Sequence, residues 1–236
     1  MQKAGVPIPL GNVAYSALEA KNVANQFKSS GYVVKAQVLG GGRGLGHFKE
    51  TGFQGGVHIV DTPDKVGTIA GEMIGKTLVT KQSGEDGLPC GCVYIVEKLG
   101  IEKEMYLSLT LDRKAGCPTF IYSPAGGMAI EDVAHSNPEQ IFKMQVSHTE
   151  GLVTAKLHQA AKDLGLAGYE DQVASVFTNL YKAFFDKDCD MIEINPLVLS
   201  TDKKVLAADS KITIDDNAAY RQKELADAED KTQLNE

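Results

Sequence analysis

The chain has few cysteines, no long apolar run and no basic cluster, and each shortage removes a class of function. Its four cysteines, Cys90, Cys92, Cys117 and Cys189, show no Cys-x-x-Cys spacing, so neither a zinc site nor a disulfide framework is expected and they read as ordinary thiols. The five histidines are scattered, and none pairs at i, i+4 around a glutamate as metalloprotease sites require. No stretch approaches the roughly 20 consecutive apolar residues of a membrane helix, and the first residues lack the apolar core of a signal peptide. With a net charge of -7 and no Lys/Arg run, a nucleic-acid surface is disfavoured, so any phosphate must meet a local site. No internal repeat or low-complexity linker breaks the chain. What remains is a soluble protein of an interior compartment, 236 residues long and 43% apolar, enough for one large domain or two intimate lobes.

The most informative stretch is Cys189 to Ile212. Two apolar arms flank the polar Ser200-Thr-Asp-Lys-Lys204 segment, which predicts a β-hairpin. A turn centred on Asp202 sets Asn195 opposite Asp209 and Glu193 opposite Lys211. Facing side chains lie about 5 Å apart at Cβ, so a carboxylate and an amide oxygen can share one hard cation. Glu193 and Asn195 share a strand face with Met191, while Ile192 and Ile194 point into a core. Pro196 suits an edge or an opening better than a central ladder.

Before this, Met1 to Asn12 reads as a rigid, non-helical entry that begins abruptly. Ser16 with Glu19 forms a capping box for a helix with Leu18, Val23, Ala24 and Phe27 on its apolar face, ending near Gly31. Tyr32 to Leu39 is a strand in which Lys35 stands among apolar residues and needs an anionic partner or an open edge. Gly40-Gly-Gly-Arg-Gly-Leu-Gly46 follows. So many glycines cost folding entropy, which a backbone that approaches an anion closely can offset. Its spacing fits neither Gly-x-Gly-x-x-Gly nor the Walker pattern.

Gly55 to Val60 reads as the return strand, and Thr62-Pro-Asp caps a helix carrying Val66, Ile69, Ala70 and Met73. Further strands are expected at Thr77–Lys81 and Cys92–Glu97, around a turn-rich 83–91. Glu97 and Lys98 then precede Gly100, a hinge between a smaller lobe (10–98) and a larger one (99–236). In the larger lobe a half-buried strand runs over Glu104–Leu111, with another at Pro118–Ser123 ending in the turn Ser123-Pro-Ala-Gly-Gly127. Helices are expected at Pro138–Lys143, Thr154–Leu164 and Gln172–Asp186, and a weakly helical tail from Asp215 to Glu236. An embedded lysine, a glycine loop, a hinge and an Asn/Asp hairpin together suit a nucleoside triphosphate between lobes, with Mg²⁺ bridging phosphate to Asn195 and Asp209.

Four ordered motifs carry a resemblance: Lys35-Ala-Gln-Val-Leu-Gly-Gly-Gly-Arg-Gly-Leu-Gly, Ser123-Pro-Ala-Gly-Gly-Met-Ala-Ile-Glu-Asp-Val-Ala, Met191-Ile-Glu-Ile-Asn-Pro-Leu and Asp209-Ser-Lys-Ile. Together they resemble the succinate–CoA ligase β subunit, of the ADP-forming type, over nearly the whole chain. The resemblance implies an α/β (α+β) ATP-grasp fold of two lobes clasping Mg-ATP or Mg-ADP. It assigns Lys35, Gly42, Arg43 and Gly44 to the phosphates, Glu97, Lys98, Leu99 and Gly100 to the base and hinge, and Glu104 to the ribose. Asn195 and Asp209 would hold Mg²⁺, and Glu193 would meet a phosphohistidine belonging to a partner α subunit. No histidine of this chain takes that role. Pro9 and Lys98 resemble the ATP-preferring members at the base pocket. The family commonly has Lys where Leu45 stands and Ala where Ser210 stands. It also begins before Met1 and continues past Glu236 into a CoA-ligase domain, so the chain reads as the ATP-grasp portion. The mitochondrial matrix or a bacterial-type cytoplasm is the expected compartment. A non-catalytic nucleotide-binding regulator, or a β-type subunit acting on malate or citrate, would share these motifs.

Overall fold

The computed structural model describes residues 1–228, 230 and 233, which divide into two compact units. One comprises Pro9–Lys98; the other joins Met1–Ile8 to Leu99–Ala228.

In the first unit the elements are β1 (Gly11–Ala14), α1 (Ala17–Asn25), β2 (Tyr32–Gln37), β3 (His47–Phe48), β4 (Val57–Val60), α2 (Pro63–Met73), β5 (Lys76–Val79), β6 (Leu88–Cys90) and β7 (Cys92–Glu97). A four-stranded sheet has the order β1-β7-β2-β4, and β3-β5-β6 form a second. Ser16 caps α1 through its hydroxyl, and the Glu19 carboxylate bonds the Tyr15 N–H at 2.8 Å, so the capping box forms. Thr62 caps α2, with Pro63 at its first position. Both helices pack on the sheet, burying Val23, Ala24, Val66, Ala70 and Met73 against Val34, Val93 and Ile95.

Several expectations need correction here. Leu18 is 69% exposed, because it sits roughly 160° around the helix from buried Ala20 at 100° per residue, away from Val23 and Ala24. The helix stops at Asn25, well before Gly31, and the strand after it stops at Gln37. Lys35 is not at an edge, since β2 lies between β7 and β4. The 83–91 stretch holds β6, and the entry segment contains a 3₁₀ turn over Gln2–Ala4.

The second unit holds β8 (Ile101–Asp112), β9 (Cys117–Ser123), α3 (Ile130–Ser136), β10 (Phe142–Gln145), α4 (Thr154–Asp163), α5 (Glu170–Asp186), β11 (Cys189–Ser200), β12 (Val205–Ala207), β13 (Ser210–Ile214) and α6 (Lys223–Asp227). Its sheet runs β10-β9-β8-β11-β12, with β13 also paired to β11. Leu157, Ala161, Val173, Phe177 and Leu180 from α4 and α5 cover Leu107, Leu109, Phe120, Ile192 and Ile194. The centre of β8 is not half-buried as expected: Met105, Leu107 and Leu109 belong to the core under α4 and α5, and Tyr106 and Ser108 on the opposite face are buried as well. Nor is Pro138–Lys143 a helix. Only Pro138–Gln140 make a 3₁₀ turn, and buried Met144 alternates with exposed Lys143 and Gln145 on edge strand β10.

Of the helical tail expected from Asp215 to Glu236, Asp216–Ala218 is a 3₁₀ turn and Lys223–Asp227 a helix, while residues 229, 231, 232 and 234–236 lie outside the described residues. Among the described residues no helix is long and apolar enough to cross a membrane.

Candidate functional site

β11 organises the larger unit's site. It pairs with β13 so that Glu193 faces Lys211 and Ile194 faces Ser210, and with β12 so that Leu197 faces Ala207. The pairing sets Asn195 beside Asp209, whose carbonyl accepts the Asn195 N–H at 3.2 Å. On its other side β11 pairs with β8, and the register slips between Ile194 and Leu197. Such a slip re-aims the side chains within it. Asn195 lies there, and its amide is held at both ends: Oδ1 accepts the Gly127 N–H at 2.9 Å, and Nδ2 donates to the Met128 carbonyl at 2.8 Å.

The turn after β9 is thereby fixed to β11. Gly126 lies so close to β8 that a Cβ there would collide with the Met105 backbone, which only glycine permits. Glu104 directs its carboxylate to the space beside Gly127.

Glu193 sits half-buried on the same strand face, opposite Lys211 on one side and Ser108 on the other. Burial raises its pKa above the ordinary value; Lys211 and a hydrogen bond with Asn195 oppose this, while the charges of Glu131 and Asp209 reinforce it. Tyr106 is pushed up to about 12, first by burial and then by Glu193 and Glu131. Glu193, Asn195, Asp209, Lys211, Glu131, Tyr106 and Ser108 thus form one electrostatic neighbourhood. A half-buried carboxylate with a raised pKa beside other polar groups marks a candidate functional residue.

Among the described residues no three His, Cys, Asp or Glu side chains gather closely enough to hold a metal by themselves. The Asn195/Asp209 pair nevertheless fits Mg²⁺, which is bound through one or two protein oxygens and takes its other ligands from phosphate and water. An amide oxygen has two lone pairs, so the Gly127 bond leaves Asn195 Oδ1 one to offer.

In the smaller unit Lys35 lies half-buried on β2, opposite Tyr94 and Val57. The glycine-rich loop follows, with Gly42 at φ 70° leading a 3₁₀ turn over Arg43–Leu45. The Arg43 guanidinium donates to the Ala36 carbonyl at 3.0 Å, tying the loop to the strand beside Lys35. Around Gly42 and Gly44 there is open space, and Leu45 is 91% exposed. Glu97 is engaged twice with Leu10: its N–H donates to the Leu10 carbonyl at 2.9 Å, and its carboxylate accepts the Leu10 N–H at 2.8 Å. Pro9 beside it is buried. The Lys98 N–H donates to the Gly31 carbonyl at 2.9 Å and its stem passes Gly31, while the residue stays exposed. Leu99 opens the larger unit, where the Gly100 carbonyl accepts the Thr201 N–H at 2.9 Å.

The candidate residues therefore gather in three places: Glu193, Asn195 and Asp209 around β11; Lys35 with the glycine loop; and Pro9, Glu97 and Lys98 at the end of β7. Sequence reasoning missed Glu131, Tyr106 and Ser108 as neighbours of Glu193. For Glu131 a signal existed, since it lies within the motif that begins at Ser123. The four cysteines are free thiols, as expected, and burial raises Cys90 and Cys189 to about 11.

A glycine-loop lobe and a larger sheet bearing an Asn/Asp hairpin define the ATP-grasp class, and the ATP-grasp domain family matches residues 1–199. The chain belongs to that family. Among curated relatives, it is 46% identical over 242 residues to the β subunit of succinate–CoA ligase [ADP-forming] of Blastocystis sp. subtype 1, a match covering 98% of this chain and 58% of the relative. The corresponding subunit of Rhodospirillum rubrum is 42% identical, with 98% and 58% covered, and a Dictyostelium discoideum subunit named mitochondrial is 41% identical, with 99% and 52% covered. The resemblance carried by the motifs is thus borne out, and the chain spans little more than half the length of these relatives. Among solved structures, ATP citrate lyase from Methanothrix soehngenii, in complex with citrate and coenzyme A, superposes with a TM-score of 0.66 at 18% identity, covering 93% of this chain and 48% of that one. The dinucleotide-forming acetyl-coenzyme A synthetase 1 of Ca. Korarchaeum cryptofilum gives 0.62 at 16%, covering 91% and 89%. At such identities these likenesses show the fold, an α+β ATP-grasp architecture.

Proposed function

We propose that this chain is the nucleotide-handling part of a succinate–CoA ligase β subunit, and that it moves a phosphoryl group between ADP and a phosphohistidine on a partner α subunit. One observation carries the reading: Glu193, Asn195 and Asp209 share one neighbourhood of β11, in a chain whose relatives bear that name. In the ATP-forming direction the P–N bond of the phosphohistidine breaks, a terminal ADP oxygen gains the phosphoryl group, and the histidine nitrogen recovers its electron pair. Mg²⁺, when bound, neutralises phosphate charge. Asn195 and Asp209 hold it, Lys35 and the backbone at Gly42, Arg43 and Gly44 bind the phosphates, and Glu104 takes the ribose. Glu97, Lys98, Leu99 and Gly100 frame the base. Glu193 orients the incoming phosphohistidine ring. In the whole enzyme this couples succinyl-CoA, ADP and phosphate to succinate, CoA and ATP, and the chain alone makes no acyl-CoA. The compartment is the mitochondrial matrix or a bacterial-type cytoplasm.

Pro9 and Lys98 favour adenine: Pro9 offers guanine O6 no donor, and a lysine ammonium can only donate, which suits the adenine N1 acceptor better than guanine N1–H. One well placed or unpaired donor separates the two by about tenfold or more. Calorimetric titration with Mg-ATP and Mg-GTP should show ATP bound at least that much more tightly. Equal affinities would remove the adenine assignment, and no heat from either nucleotide would overturn the nucleotide-binding reading.

A further inference from the structure

The glycine-rich loop is bolted down by the segment that leads into β4. Gly55 and Gly56, at the entry to β4, donate their N–H groups to the carbonyls of Gly46 at 2.7 Å and Arg43 at 2.8 Å. The Gly56 carbonyl in turn accepts the Ala36 N–H at 2.7 Å, beside the carbonyl that receives the Arg43 guanidinium. Loop, clamp and the strand bearing Lys35 are therefore one hydrogen-bonded assembly. Gly55 stands at φ 82°, a left-handed backbone that disfavours any side chain, and a Cβ there would also press on the Gly44 carbonyl and the His58 ring. Something must hold a residue of such wide freedom in that one conformation.

His58 meets that need. Its Nε2 donates to the Gly55 carbonyl at 2.9 Å, closing the turn, and its ring stacks on Phe53 with centroids 4.7 Å apart and planes 24° from parallel. A carbonyl can only accept, so the ring carries its proton on Nε2. Phe53 belongs to the same bracket, since its carbonyl accepts the Phe48 N–H at 2.8 Å.

We infer that His58 is a positioning residue: with Phe53 at its back it fixes Gly55, and through Gly55 and Gly56 it sets the backbone of Gly42, Arg43 and Gly44 to receive nucleotide phosphates. This rests on the nucleotide-binding reading for its purpose, but not for its mechanics. In this role His58 acts through its contacts with Gly55 and Phe53 and is not itself a phosphate ligand. Its loss should therefore reduce affinity only in proportion to the phosphates a ligand carries.

The test compares His58→Phe, which keeps a ring for Phe53 but loses the donor, with His58→Gln, which keeps a donor. In the ligand-free chain, His58→Phe should speed amide hydrogen exchange at Leu45, Gly46, Gly55 and Gly56 while exchange in α5 stays unchanged. Mg-ADP should bind it about tenfold more weakly, adenosine equally well, and His58→Gln should recover most of the difference. Unchanged exchange in the loop, or parallel losses for ADP and adenosine, would overturn the brace. If the wild-type chain bound no Mg-ADP, the functional reading would fall while exchange in the loop still decided the brace.

Discussion

The amide oxygen of Asn195 accepts the backbone N–H of Gly127 at 2.9 Å, joining a strand residue to a turn 68 positions earlier in the chain. With the bond from Nδ2 to Met128, it makes Asn195 a support of the turn as well as a candidate metal ligand. Asn195→Ala removes both hydrogen bonds and should cost about 1–2 kcal/mol of stability. Thermal unfolding checks the loss, and amide exchange at Gly127 locates it. An unchanged Tm with unchanged exchange would show that the turn holds without Asn195.

Substituting Asp209 tests the proposed metal site apart from nucleotide binding itself. Asp209→Asn should weaken binding of Mg-ATP strongly and binding of ATP in EDTA little, because a carboxylate contributes most where a cation is present. Equal calorimetric losses with and without Mg²⁺ would take Asp209 out of the metal site.

Two carboxylates should leave opposite marks on the pH dependence of stability. Burial raises Glu193 in the folded chain above its usual 4.5, so the folded state holds the proton more tightly. Its contribution is present below pH 4.5 and lost as pH rises through the folded value, and Glu193→Gln should flatten that decline. Asp188 behaves in reverse. Hydrogen bonds from Arg221 and Gln222 hold its folded value at about 2, below the usual 3.8. Its stabilisation is present above 3.8 and is lost as pH falls through about 2, so Asp188→Asn should flatten the acid limb. Variant curves of Tm against pH that run parallel to wild type would contradict both assignments.

Gly126 offers a steric test. A methyl group there meets the backbone of Met105, which cannot turn aside as a side chain can, so Gly126→Ala should destabilise by about 1–3 kcal/mol. Gly91→Ala is the control, because nothing lies within 4 Å of its added Cβ. Equal melting temperatures for the two variants would mean that β8 yields to the turn.

Where local rules sufficed, the sequence was legible. The Asn195/Asp209 and Glu193/Lys211 pairings follow from one turn and a period of two, and the register matches them. The Ser16 and Thr62 caps were readable for the same reason. Spatial order was not. Nothing local says that β2 lies inside its sheet, so Lys35 can be read at an edge, or that the second face of β8 is covered, so Tyr106 and Ser108 read as exposed. Pro138–Lys143 reads as a helix although Phe142 and Lys143 open β10, because the strand's four residues of alternation are too short a pattern to identify it. Glu131 stayed hidden as a neighbour of Glu193 because α3 and β11 are far apart in sequence and meet only through the fold.

Exchange of phosphate between this chain and a phosphohistidine, by way of a nucleotide, is the activity we propose. Its most direct test is to mix the purified chain and Mg-ADP with a succinate–CoA ligase α subunit labelled with ³²P on its histidine, alongside the Glu193→Gln and Asp209→Asn variants. Labelled ATP is expected from the wild-type chain, with much slower formation for either variant and none without ADP. Label that stays on the histidine, while the same α subunit yields ATP with a complete β subunit, would contradict it.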